Sequence, residues 1–510
     1  YNAQHDASEK SKLAQLEQSL DNIGNNQTFF DALESISLKL QRRVSVISKI
    51  TEFNATTSTD CLISAINDFR SIDGEANNHP PTDFLEDDAK KAIYVDGKLR
   101  VSLYKALLFM HMADAIKSGR LNLLYSYRYK AIQEYLIEES LWKSQRTNLL
   151  ARAGFLKFAD FNAVMNQLKP QLDQKYQVVN HRFLNNENPH LSIDDAGKVK
   201  VATPKIDSDE SEYISSLLSK SGFIPVLQVL SDINHIAQFT TAFKHFSIKH
   251  KKMKPLVETI FAGILGKGCN IGVNRIANIS KGISEDVLKN TVNWFFNLKN
   301  LQEANNKILA VLNKLFLADN YRHNPQRLHT GSDGRKVNVA VDSLLASYSY
   351  KYFGKGKGVT IYTFLDERQL LFHVLVISSS EREAAYVIDG LLQNEVVKSD
   401  IHSTDTHGFT ETVFAATHFI DTAFAPRFKD VGGQKIYAFS ARQTYEKRGY
   451  KILPSRTIDL KLIEKHWDDI LRFMVTIKLK HTTASQLFKR LSSYAKDHPL
   501  YRAIKEFGRI

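Results

Sequence analysis

Cysteine is almost absent from this chain: only Cys61 and Cys269 occur among its 510 residues, far apart and in no CxxC pair. That excludes a disulfide framework, makes a structural zinc ribbon an unsupported reading, and fits a reducing cytoplasm. Long apolar runs are missing as well, so no segment reads as a membrane span, and the polar stretch from Tyr1 to Lys12 is no secretory signal. There is no nucleophile elbow, dinucleotide fingerprint, internal repeat or low-complexity tract. The run Gly354-Lys355-Gly356-Lys357-Gly358 lacks the trailing Lys-Ser/Thr of a phosphate-binding loop, and reads instead as a flexible basic loop that touches phosphate through Lys355 and Lys357.

Acidic charge is in deficit. Lysine and arginine total 68 against 55 aspartate and glutamate, a net charge of +13. Such a balance favours a polyanionic partner, because neutralising phosphates releases counterions and gains affinity without reading sequence. The hydrophobic fraction of 43% and charged fraction of 24% are those of a soluble globular protein. At roughly 100–200 residues per domain the chain divides into about three or four units. It begins at Tyr1 rather than Met and reaches Ile510 inside a helical pattern, and is expected to be a piece of a longer protein.

Residues 1–180 read as a helical region for DNA binding, dimerisation or scaffolding. Leu13, Leu16, Leu20 and Ile23 share one helical face, as do Leu33, Ile36, Leu40 and Val44. Gly74, Asn77, Asn78, Pro80 and Pro81 interrupt the pattern between Ser71 and Asp88. A helix through Leu103, Leu107 and Met110 stops at Ser118-Gly119. From Leu121 to Tyr135, aromatics interleave with Arg128 and Lys130, residues suited to stacking on bases and touching phosphates; a turn followed by a half-buried helix explains them as well. Residues 181–212 form a polar linker, with a candidate hairpin at Asp194-Asp195-Ala196-Gly197 and an acidic run from Asp207 to Glu212. Residues 213–325 are helical again. They carry the basic cluster Lys244, His245, Lys249, His250, Lys251, Lys252 and Lys254, a DNA-backbone candidate that a solvated helix face explains almost equally.

From residue 328 the period changes to two. Val337, Val339 and Val341 mark one strand, Val359 to Leu365 a second and Leu370 to Ile377 a third, with Asp366-Glu367 as the hairpin turn. A helix follows, its start read as a capping box of Ser380 and Glu383 and its inner face as Ala384, Ile388, Leu391 and Leu392. Then come a strand ending at Asp405, a helix from Thr410 to Ile420 and a short strand at Phe424-Ala425-Pro426. This order predicts a multidomain, mostly α protein whose residues 326–440 form an α/β ribonuclease-H-like core, a mixed five-stranded sheet with helices on its faces. Residues 441–510 read as a helical insertion.

The segment His402-Ser403-Thr404-Asp405-Thr406-His407-Gly408 ends a strand in a carboxylate, and Gly331-Ser332-Asp333-Gly334 reads as a second acidic turn. Two carboxylates at neighbouring strand ends can hold divalent metal for phosphodiester chemistry. Asp342, closing the run Val337 to Val341, rivals Asp333 on pattern alone. His402 and His407 flank Asp405 without the spacing that argues a metal pair. His373, inside an apolar strand, reads as a core histidine.

At these residues the sequence meets a family. The runs LHTGSDGRKVNVAVDSL, GVTIYTFLDERQLLFHVLVISSSEREAAYVIDGLL, DIHSTDTHGFTETVFA and FAPRFKD closely resemble the Tn-three family of replicative transposases. The likeness extends through HWDDILRFMVTIKLKHTTASQL and back to GCNIGVNRIA, covering residues 215–510 strongly and the first third more weakly. It implies a DDE triad on the ribonuclease-H-like core, with Asp333 in SDG and Asp405 in TDT as the two aspartates, which prefers Asp333 to Asp342. The third member, a glutamate, is expected after the motif resembling KEFGRI and so beyond Ile510; Glu506 and Glu464 do not sit in its context. The resemblance further implies two Mg2+ (or Mn2+) ions, cleavage at terminal inverted repeats, strand transfer to target DNA, a homodimer that pairs the ends, and a bacterial, nucleoid-associated cytoplasmic setting. A related ribonuclease-H-like nuclease and a non-catalytic DNA-binding or dimerisation fragment are the alternatives.

Charge reversal at Lys249, Lys251 and Lys252 is expected to weaken DNA binding and flatten its dependence on salt. A binding titration across salt concentrations checks this, and an unchanged slope returns the cluster to a solvated face.

Overall fold

The computed structural model describes residues 26–58, 61–194, 199–202, 224–247, 254–341, 343–394, 396–406, 408–494 and 498–510. The expected helix from Leu13 to Ile23, the acidic run Asp207 to Glu212, and Lys249, His250, Lys251, Lys252, Asp342 and His407 lie outside the described residues. Two compact units divide the chain: Tyr1–Leu149 with Leu479–Arg502, and Leu150–Lys478 with Ala503–Ile510. No described helix is long and apolar enough to cross a membrane.

The first unit is built around the helix Val101–Ser118, in which Leu103, Tyr104, Ala106, Leu107, Leu108, Phe109, Met112 and Ala115 are all buried. Apolar residues run almost round this helix, the pattern of one enclosed on several sides. Gly119 closes it in the left-handed region (φ +78°), which glycine adopts without a Cβ penalty. The helix Asn26–Ile50 packs against it through Phe30, Leu33, Leu40 and Val44. Ile36 is exposed and Ser37 takes the inward position, so that part of the expected face is rotated by one residue. The segment Leu121 to Tyr135 holds bends and a single 3-10 turn, Ile132–Glu134, rather than a longer helix. The wholly buried Arg490 explains this: it donates to Asn122 Oδ1 (2.6 Å) and to the Lys130 carbonyl (2.6 Å), an acceptor a helix would use internally.

The second unit opens with helices, among them Phe161–Leu184, Val257–Gly268 and Leu298–Leu312, and includes the expected hairpin, Leu191–Ile193 against Val199–Val201. Among the described residues its sheet has six strands: β1 (His329–Asn338), β2 (Ser347–Tyr348), β3 (Lys357–Asp366), β4 (Leu371–Ser378), β5 (Ile401–Thr404) and β6 (Ala423–Phe424). The order is β6-β5-β1-β3, with β4 and the short β2 both on the outer edge of β3. β1, β3 and β4 form an antiparallel meander, whereas β5 runs parallel to β1 and β6 parallel to β5. Parallel neighbours need crossover connections. The helices α1 (Val387–Gln393) and α2 (Glu411–Phe419) lie in the two crossovers.

Two local expectations are corrected. β1 begins at His329, and Thr330 to Asn338 pair without a break against Gly358 to Asp366, so Asp333 stands within a strand and not in a turn. The capping box of Ser380 and Glu383 does not form. A 3-10 turn, Glu383–Tyr386, leads into α1 with no side-chain cap, and the Glu383 carboxylate lies against Gly334 instead. Ala384 and Ile388 are buried as expected, while Leu391 and Leu392 are half-buried.

After the sheet, a parallel pair of two-residue strands, Tyr437–Ala438 and Arg456–Thr457, interrupts the otherwise helical C-terminal region. α2 rests on an aromatic cluster in which Phe419 meets Phe158 (4.7 Å between ring centroids) and Phe507 (5.3 Å), and Trp467 meets Phe507 (5.2 Å). Glu506, only 4% exposed, accepts from Arg456 (2.9 Å) and Arg509 and from the Asp459 amide (3.3 Å). Glu506→Ala leaves the largely covered Arg509 with only its longer carboxylate contact, to Glu411 (3.5 Å), and should cost on the order of 3 kcal/mol, read as a lower urea midpoint. An unchanged midpoint would show the cluster to be energetically idle.

Candidate active site

Parallel pairing of β1 with β5 sets the site. Its register matches His329 with Ile401, Thr330 with His402, Gly331 with Ser403 and Ser332 with Thr404. The next residue on each strand is an aspartate, Asp333 on β1 and Asp405 just past the end of β5. Paired strands lie about 4.8 Å apart, and each aspartate follows directly on the last residue of that register, Ser332 and Thr404. Asp333 is exposed, its Oδ1 accepting from the Gly334 amide (2.9 Å), while the Thr363 hydroxyl on β3 donates to its carbonyl (3.2 Å). Asp405 is half-buried and uses Oδ1 to accept from the Gly408 amide (3.0 Å), fixing the turn that leaves the strand.

Side-chain alternation places Ser332, Thr330, His402 and Thr404 on the buried face. Tyr362 of β3, wholly buried, joins them. Its hydroxyl is held protonated mainly by burial; the Ser332 hydrogen bond opposes this, and the nearby charges of Glu383, Asp405 and Asp333 add to it. Tyr362 therefore lies within electrostatic reach of three carboxylates. His402 is pushed down to about 3, chiefly by burial and then by His329, so it is neutral at working pH. Both its ring nitrogens engage hydroxyls, which makes it a core group and not a metal ligand. His373 is likewise a core residue, its ring edge-on to Phe364.

The sequence reading gave Glu383 only a helix-capping role. A Cβ on Gly334 would overlap its carboxylate, so the glycine beside Asp333 makes room for this acid. The signal was available in Asp333-Gly334, a glycine inside a strand being a mark of close approach. Glu506 and Glu464 are elsewhere engaged or exposed: Glu506 sits in its arginine cluster, and Glu464 is on the surface of the helix Leu460–Lys465.

The basic candidates are dispersed. Arg128 is exposed and Lys130 half-buried in the first unit. In the second, Lys254 is exposed at a cleft it shares with Lys244, His245, Phe246 and Lys299. Lys355 is exposed in the turn before β3, and Lys357 opens that strand with its ammonium 5.0 Å from the Tyr348 ring centroid.

The model of the Tn3 transposase DDE domain matches residues 228–510, more than half of the chain and the whole of the sheet just described. The chain belongs to the Tn3 family of DDE transposases. Among its relatives, the transposase for transposon Tn1546 of Enterococcus faecium is 26% identical over 503 residues, covering 94% of this chain and 48% of the relative. The transposase for transposon Tn2501 of Escherichia coli is 26% identical over 494 residues, with 94% and 48% covered. The transposase for transposon gamma-delta of Escherichia coli (strain K12) is 24% identical over 524 residues, with 98% and 50% covered. This Tn3-family chain spans about half the length of the curated relatives it matches.

Gly334→Ala should destabilise the second unit by about 1–2 kcal/mol, because the added methyl must expel the Glu383 carboxylate. In a Glu383→Ala background the same change should be neutral or stabilising. Unfolding midpoints of the two single variants and the double variant check this; additive losses would mean that the two residues do not share the space.

Proposed function

We propose that this chain carries the catalytic core of a replicative DNA transposase, which cuts one strand at each transposon end and joins the freed end to target DNA. The observation that carries the reading is the adjacency of Asp333 and Asp405 beyond the Ser332–Thr404 register pair, in a chain that matches the DDE-domain family. The strand order supports it: a three-stranded meander followed by two parallel strands, each reached through a helix, is the order expected of a ribonuclease-H-like core.

The donor set fits a hard divalent cation. Asp333 and Asp405 offer carboxylate oxygens, and among the described residues no cluster of three or more Asp, Glu, His or Cys could enclose an ion by itself. Mg2+ suits such a pair, since it commonly takes one or two carboxylates and leaves other positions to water and substrate phosphate. Bound there, Mg2+ or Mn2+, as two ions, would supply activation of the attacking oxygen and neutralisation of the leaving one. Asp333 and Asp405 hold and orient that site on strands that share a fixed register.

In the first reaction a water oxygen attacks phosphorus at the transposon end, the bond to the 3′ oxygen breaks, and a 3′-hydroxyl is released. In the second, that hydroxyl attacks a target phosphodiester and displaces a target 3′-hydroxyl. Terminal inverted repeats and target DNA are the partners, held by a homodimer in the cytoplasm at the nucleoid. The net charge of +13 favours this polyanion, with Arg128, Lys130, Lys254, Lys355 and Lys357 and the Lys249, Lys251 and Lys252 cluster as candidate backbone contacts. The third carboxylate of the triad is assigned to neither Glu506 nor Glu464.

In a transposition-competent protein, Asp333→Asn and Asp405→Asn should each abolish metal-dependent cleavage while end binding persists. A gel assay of nicking and strand transfer beside a binding assay reads both, and cleavage retained by either variant would refute the pair. Cleavage without strand transfer by the unaltered protein would instead favour a nuclease.

A further inference from the structure

Behind the two aspartates, on the buried face of the sheet, runs a continuous chain of neutral polar groups. His402 Nδ1 meets the Thr330 hydroxyl (2.8 Å) and His402 Nε2 meets the Ser332 hydroxyl (2.9 Å). The Ser332 hydroxyl also bonds the Tyr362 hydroxyl (2.6 Å), and Thr330 bonds Ser399 (2.6 Å). All five side chains are buried, His402 and Tyr362 completely. The imidazole is stacked with Phe364 on β3 (22° between planes) and Phe424 on β6 (12°).

A polar chain in an apolar interior is costly where any member lacks a partner, and residues of the same size without polar atoms would pack as well. Its position suggests what it does. Ser332 precedes Asp333, and its register partner Thr404 precedes Asp405. Through Ser332, β1 is tied to His402 on β5 and to Tyr362 on β3 at that level of the sheet. Backbone pairing fixes strand separation, whereas these side chains resist shear and rotation of β1 where the carboxylates leave it.

We propose that Ser332, His402 and Tyr362 form a clasp across three strands that positions Asp333 and Asp405 for shared metal binding. They are positioning residues, acting through the aspartates, and the inference rests on the metal-dependent reading given above. Loss of the Ser332 hydroxyl breaks both links of the clasp, and loss of the Tyr362 hydroxyl breaks one. Groups behind metal-bearing residues commonly alter metal affinity about 10–100-fold when removed.

The test is Mn2+ binding to the DNA-free protein, followed by electron paramagnetic resonance, with unfolding midpoints measured on the same samples. Ser332→Ala should weaken Mn2+ binding about tenfold and Tyr362→Phe by less, while Ser332→Thr, which keeps the hydroxyl, should bind near the unaltered level. Tyr362→Phe keeps the ring and serves if Ser332→Ala does not fold. A lowered midpoint with unchanged Mn2+ affinity in the folded variants would overturn the clasp and leave a core hydrogen-bond network. Asp333→Asn that binds Mn2+ as well as the unaltered protein would refute the metal reading itself, and this inference with it.

Discussion

Parallel pairing of β1 with β5 is the interaction on which the rest of the site depends. Residues far apart in sequence meet there, and a slip of one position would carry Asp333 or Asp405 to the opposite face. The register is secured from both sides. β1 pairs with β3 along nearly its whole length, and the β3–β4 hairpin is closed by Asp366, whose carboxylate accepts from the Arg368 and Leu370 amides and pairs with the buried Arg368 guanidinium. On the other side, β6 extends the parallel set by holding β5 at Ile401 and His402.

Interior chemistry follows from that arrangement. Around the two aspartates the inward residues Thr330, Ser332, His402 and Tyr362 carry neutral hydroxyls and one neutral imidazole, while further along the same face of β1 Lys336 turns its ammonium to the Thr360 hydroxyl (3.2 Å) and the Ser379 carbonyl (3.0 Å). Charged groups buried along the Thr330–Ser332–His402–Tyr362 path would need partners of opposite sign, whereas these neutral groups satisfy one another. Glu383 lies at the margin, admitted because Gly334 has no side chain. Elsewhere in the same unit a buried acid, Glu506, is balanced by Arg456 and Arg509.

Much of the sheet was legible in the sequence because its signal is local. Period-two alternation located β3 and β4 within one or two residues, Ser118-Gly119 marked a helix end, and Asp405 with Gly408 marked the turn after β5. The start of β1 was not legible, since His329-Thr330-Gly331-Ser332-Asp333-Gly334 carries turn-forming residues whose extended state is imposed by pairing with β3 and β5. Glu383 was misread for the same reason. Ser380 and Glu383 have capping-box spacing, but a carboxylate can be drawn to a distant strand that no spacing rule includes. The half-buried helix considered within Leu121 to Tyr135 is reduced to one 3-10 turn because Arg490, more than three hundred residues later, takes the Lys130 carbonyl. The two candidate aspartates were legible, but the resemblance was needed to prefer Asp333 over Asp342.

On the proposed reading, Asp333 and Asp405 share a metal site built by strand register. A crystal structure of the protein with Mn2+, read by anomalous scattering, tests it most directly. The expected result is a metal peak with an oxygen of each aspartate at about 2.1 Å. A peak bound by Asp405 without Asp333, or carboxylates turned away from each other with no peak between them, would contradict it.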